Sequence, residues 1–167
     1  MKLGEEAIIR LQSTSKDEAL LEMSALAARL VQQVDEDQVY NALMKREKIG
    51  STGIGGGVAI PHAKVVGVQG KLLALGYSDR GVPYDSVDRR PAEVLVLLLG
   101  EPGPNLEYLR ALGKLGRMLR DESNLELLLN ARNPSQLDTV FSRLLHSAIL
   151  LEPPHIHVNG EPAPYIP

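Results

Sequence analysis

Val94-Leu-Val-Leu-Leu-Leu99 puts six apolar residues in a row, with no polar residue at alternate positions. A strand with one wet face alternates; a strand that does not alternate needs cover on both faces. The run is far shorter than the ~20 apolar residues that cross a bilayer. It therefore predicts a central strand over Ala92 to Leu99, buried inside a domain with helices on either side.

The flanking segments supply those helices. Ser15-Lys-Asp-Glu18 reads as a capping box, and Ala19, Leu20, Met23, Leu26, Ala27, Leu30 and Val31 follow at helical spacing. Asp35 and Gln38 open a second helix, which ends near Lys48 and Gly50. Leu106, Leu109, Leu112, Leu115 and Leu119 form the apolar stripe of a third, capped by Asn105. A short helix over Asn124 to Ala131 and a last one from Asn133-Pro134 to about His146 complete the set. Short strands are expected at Ala7 to Leu11, at Val58 to Ile60 where Pro61 stops it, and at Lys71 to Ser78 before an Arg80-Gly81 turn. Strands interleaved with helices imply an α/β layered domain.

Length favours one domain, taken as residues 1–150. With one Phe, five Tyr and no Trp, the core has to come from Leu, Val, Ile, Ala and Met. A net charge of −3 offers no footprint for nucleic acid. The chain has no cysteine, which excludes disulfides, thiolate metal sites and a cysteine nucleophile, and fits a reducing compartment. The N-terminus lacks an apolar signal core, so the expectation is a soluble, cytoplasmic protein with no membrane insertion.

The chemistry gathers between Arg46 and His62. Gly50-Ser-Thr-Gly-Ile-Gly-Gly-Gly57 is not a P-loop, because no Lys follows the glycines. It is not a dinucleotide fingerprint either, because it joins a helix to a strand rather than a strand to a helix. It reads as a tight turn, or as a wall whose amides from Gly55, Gly56 and Gly57 meet an anion, with Ser51 and Thr52 adding hydroxyls. Arg46 complements the dipole at a helix end, or, if that end faces His62, pairs with phosphoryl oxygens. His62 reads as a structural imidazole or as a nucleophile. The second role needs a neutral ring, one free nitrogen, and a hydrogen bond holding the other.

The run Arg-Glu-Lys-x-Gly-Ser-Thr-Gly-Ile-Gly-x-Gly-x-Ala-x-Pro-His resembles the active-site signature of the enzyme IIA components of the sugar phosphotransferase system. It is similar to the fructose/mannitol type, which includes the nitrogen-regulatory IIA proteins, and the resemblance covers roughly residues 3 to 145. It implies a three-layer α/β/α fold with a mixed central sheet flanked by helices. It implies that His62 accepts a phosphoryl group with Arg46 beside it. The implied donor is an HPr-like phosphocarrier. The implied recipient is a IIB domain or a regulatory target, and no cofactor or metal is called for. Two positions depart from the pattern: Gly56 stands where Asn is common, and Asn105 stands where a second histidine usually opens a helix. Asn can cap and donate hydrogen bonds but cannot carry charge or a phosphoryl group. The alternative reading is therefore a IIA-like regulatory binding module with transfer weak or lost; a small-anion binder is a third.

From residue 151 onward prolines crowd the chain. Asn159-Gly160 could close a small hairpin, and 151–167 reads as a tail or a subunit-contact arm, which leaves a homodimer open. His155 and His157 alone do not complete a zinc site.

Overall fold

The computed structural model describes residues 3–150 together with two short strands, His157–Val158 and Glu161–Pro162, which pair antiparallel. The Asn159-Gly160 turn, the His155/His157 ring pair and the contact arm lie outside the described residues.

After a 3-10 turn at Glu5–Ala7 come β1 (Ile8–Arg10), α1 (Lys16–Leu30) and α2 (Glu36–Glu47). Then follow β2 (Gly53–Gly55), β3 (Val58–Ala59), β4 (His62–Lys64), β5 (Lys71–Val82) and β6 (Ala92–Gly100). Three helices close the order: α3 (Leu106–Met118), α4 (Glu122–Asn130) and α5 (Pro134–Leu150). The strands form one mixed six-stranded sheet in the order β1-β5-β6-β3-β2, with β4 also on β6. As the apolar run requires, β6 is central: antiparallel to β5 along one edge, parallel to β3 and then β4 along the other. Val94 to Leu99 are all buried. Helix α1 packs on α2 and β5, while α5 gathers α3 and α4 and packs on β1. This is the three-layer α/β/α arrangement.

Local chemistry sets the helix starts. Ser15, Asp35, Asn105 and Asp121 each cap a first turn with a side-chain oxygen. The capping box is only half made. Ser15 accepts from the Glu18 amide at 3.3 Å, but it is Glu22 that reaches back, to the amides of Gln12 and Ser13. Helix α4 starts at its Asp121 cap, before Asn124, and α5 continues past His146.

Two expectations need correction. The Arg80-Gly81 turn is a bulge inside β5, where the register with β6 slips between Tyr77 and Val82 and Gly81 takes φ +80°. β3 does stop short of Pro61, as expected, but the Pro61 carbonyl accepts from Leu98 at 3.0 Å and the chain re-enters the sheet at His62. Leu106 and Leu109 keep helical spacing but are 52% and 54% exposed, because α3 buries its Tyr108, Leu115 and Met118 side instead.

The glycine run is part of the sheet. Gly53–Gly55 pairs with Val58–Ala59, and the turn between them has φ +65° at Gly56. Asn is the side-chain-bearing residue that best tolerates that conformation. A Cβ on Gly56 would meet the end of the Leu125 side chain at 2.6 Å, a flexible neighbour able to shift. Gly56→Asn is therefore expected to cost less than about 1 kcal/mol, and the β-branched Gly56→Val more than about 2 kcal/mol. Urea unfolding of both variants checks this; equal losses would refute it.

Candidate functional site

Two elements meet at His62. It opens β4 opposite Leu98 of β6, and the C-terminal turn of α2 packs on β4 and brings up Arg46. The ring is half-buried. Its Nδ1 lies 2.7 Å from the Ile60 carbonyl. A carbonyl can only accept, so Nδ1 carries the proton and the lone pair sits on Nε2. Arg46 donates its Nε–H to that Nε2 at 3.3 Å, and its Nη1 to the Gly50 carbonyl at 2.9 Å. Burial holds the His62 imidazole below its ordinary value of 6.5. The bond to Ile60 and the Glu47 charge push up, while the Arg46 charge pushes down. The result is a neutral imidazole of one tautomer, with its nucleophilic nitrogen against a guanidinium.

The other expected residues divide. Ser51 donates its hydroxyl to the Tyr84 carbonyl at 2.6 Å and accepts from the Gly53 amide at 3.0 Å. The buried Thr52 gives its hydroxyl to Glu47. Both hydroxyls hold the loop rather than point to the imidazole. The structure does not bring Gly55, Gly56 and Gly57 to His62. The Gly57 carbonyl accepts from Glu93 and Val94, and the Gly56 amide donates to Asp88. Val94 precedes Leu98, the partner of His62, by four positions on β6, about 13 Å along a strand. Asn105 spends its whole amide locally: Oδ1 accepts from the Tyr108 amide at 3.0 Å, and Nδ2 donates to Gly70 and Glu101 carbonyls.

Residues without a sequence-assigned role complete the surroundings. Lys64, at the end of β4, donates to the Gly103 carbonyl at 2.7 Å and lies 5.7 Å from the Tyr108 ring centroid. Burial pushes the Tyr108 phenol up and the Arg46 charge opposes it. On the other side, the buried Glu47 carboxylate binds Lys16, Thr52 and Tyr84. Glu47 stands in the motif beside Arg46; its charge at a helix end next to a cation of the site was the available signal. Tyr84 gave none. Among the described residues no group of three or more His, Asp or Glu could hold a metal, and no helix is long and apolar enough to cross a membrane.

The tautomer and charge make a titration prediction. By NMR, His62 should lose its proton with a midpoint below 6.5 and be neutral at pH 7. Arg46→Ala should move that midpoint up, since a nearby positive charge is removed. A wild-type midpoint at or above 6.5 would contradict the geometry.

Residues 1–143 match the family model described as phosphoenolpyruvate-dependent sugar phosphotransferase system, EIIA 2. A nitrogen regulatory protein of Bradyrhizobium diazoefficiens is 36% identical over 138 residues, covering 82% of this chain and 90% of that one. The fructose-specific EIIABC component of Bacillus subtilis is 31% identical over 135 residues, which is 81% of this chain and 21% of that longer protein. Among solved structures, the nitrogen regulatory protein IIA-Ntr of Neisseria meningitidis superposes with a TM-score of 0.75 at 28% identity, over 82% of this chain and 94% of that one. The Escherichia coli mannitol IIA in complex with phosphorylated IIB shares the fold, with a TM-score of 0.69 at 23% identity over 87% and 98% of the two chains.

Proposed function

This chain belongs to the phosphoenolpyruvate-dependent sugar phosphotransferase system EIIA 2 family, and we propose that it carries a phosphoryl group on Nε2 of His62. The observation that supports this most directly is the neutral imidazole with Nδ1 bound to Ile60 and Nε2 facing Arg46. The Nε2 lone pair attacks the phosphorus of a phosphohistidine on an HPr-like carrier. The P–N bond to the carrier breaks, and its electron pair returns to the carrier's imidazole nitrogen. The new bond leaves positive charge on the His62 ring, which its Nδ1–H shares with the Ile60 carbonyl. Arg46 gives up its bond to Nε2 and turns its fork of N–H groups to the phosphoryl oxygens. Because Arg46 is also anchored on the Gly50 carbonyl, the exchange needs only a short movement of the guanidinium.

The group then passes to a IIB domain, the kind of partner with which the Escherichia coli mannitol IIA forms its complex, or its presence on His62 signals to a regulatory target. The nitrogen regulatory relatives favour the second outlet. The placement of Asn105 favours it too, because an amide already spent on Gly70, Glu101 and Tyr108 adds no charge to a transferring phosphoryl group. Under this reading residues 1–150 are the cytoplasmic carrier domain and 151–167 a separate tail.

Incubation with phosphoenolpyruvate, enzyme I and HPr should place one acid-labile, base-stable phosphate on the protein, and His62→Ala should abolish it. Absence of label on wild type, or equal label on the variant, would remove the carrier reading. In a protein that does not label, equal partner capture by wild type and His62→Asp would favour the binding module.

A further inference from the structure

We propose that Glu47 is a positioning residue of this site, holding both Arg46 and the reactive tautomer of His62 through one continuous set of bonds. The Glu47 side chain is 4% exposed, at the last residue of α2. Its Oε2 meets Lys16 Nζ at 2.7 Å and the Thr52 amide at 3.1 Å. Its Oε1 accepts from the hydroxyls of Thr52 and Tyr84, the latter at 3.1 Å. Lys16 Nζ also lies 4.6 Å from the centroid of the Tyr84 ring, which is fully buried. One carboxylate thus ties together the start of α1, the end of α2, the Ser51–Thr52 loop and the chain after β5.

Two paths lead from it to the reacting nitrogen. Along the first, Glu47 grips the Thr52 amide, the Thr52 carbonyl accepts from the Ile60 amide at 2.9 Å, and the Ile60 carbonyl holds His62 Nδ1–H. The position of Ile60, and so the tautomer, depends on Thr52 staying in place. Along the second, fixing Glu47 fixes the last turn of α2. Arg46 precedes it in that turn, and the Gly50 amide closes onto the Glu47 carbonyl at 3.1 Å. Gly50 in turn anchors Arg46. A buried ion pair adds little net stability against an apolar replacement. A role in fixing geometry is what accounts for one whose carboxylate directly follows Arg46 at the end of α2.

The inference rests on the carrier reading for its rate arm alone; the tautomer arm stands independently. Glu47→Gln keeps an acceptor and removes the charge. Tyr84→Phe removes one donor and keeps the ring. Nitrogen-15 spectra of His62 should show a single Nδ1–H form in wild type, a mixture with Nε2–H in Glu47→Gln, and a smaller change in the same sense in Tyr84→Phe. Labelling by the phosphoenolpyruvate chain should slow about 10-fold or more in Glu47→Gln, the scale expected when a reacting group is misplaced. If wild type does not label, the carrier reading fails while the spectra still test Glu47. Should Glu47→Gln not fold, Tyr84→Phe decides. Folded variants that keep the wild-type tautomer, with any loss confined to thermal stability, would overturn the proposal.

Discussion

Strand β6 is the constraint on which the rest depends. Its apolar residues leave no face for water, so the sheet must be covered on both sides. Its two edges then divide the labour. One pairs along its length with β5, which carries β1 at the outer edge. The other is shared end to end by β3 and β4. Pro61 stands between those two short strands. It has no amide to give, yet its carbonyl keeps the pairing to Leu98. The imidazole therefore sits on a strand backbone tied to the most buried element of the protein, which is a firmer mount than a loop would supply.

That mount was only partly legible in the residues. The β6 run announced a central strand because burial on both faces has a direct signature, the loss of alternation. The caps at Asp35 and Asn105 were legible because they depend on side chains a few residues away. Features set by distant partners were not. Leu106 and Leu109 carry the right spacing, but which side of α3 turns inward depends on the close fit of Tyr108 against Gly100. The Arg80-Gly81 pair reads as a turn, but pairing with β6 resumes at Val82 and Ala92 and converts it to a bulge.

The glycines show the same limit at the candidate site. Adjacent in sequence to His62, they suggested a wall beside it. The register on β6 carries them to the far end of the strand, where Gly56 fits against Leu125 and Asp88. Their role is a tight antiparallel return that lets β3 and β4 run parallel to β6. Glu47, whose bonds reach His62 only through Thr52 and Ile60, was in plain view within the motif. Its meaning depended on Lys16 and Tyr84, thirty-one and thirty-seven positions away.

On the carrier reading, charge balance at His62 lets Arg46 serve both resting and loaded states. A neutral ring needs no counterion, and a guanidinium donating to its lone pair costs little because Gly50 shares the cation. A phosphoryl group on the same nitrogen adds negative charge where that cation already stands. No large rearrangement is required, only a change of acceptor. Asn105 cannot contribute a second charge, and its three local bonds would have to break before it could turn toward an anion. A neutral Asn105 stabilises a bound phosphoryl group less than a charged residue at that place would. On the carrier reading that raises the transfer potential of the phosphohistidine, and it leaves the docking partner to supply the remaining positive charge during transfer.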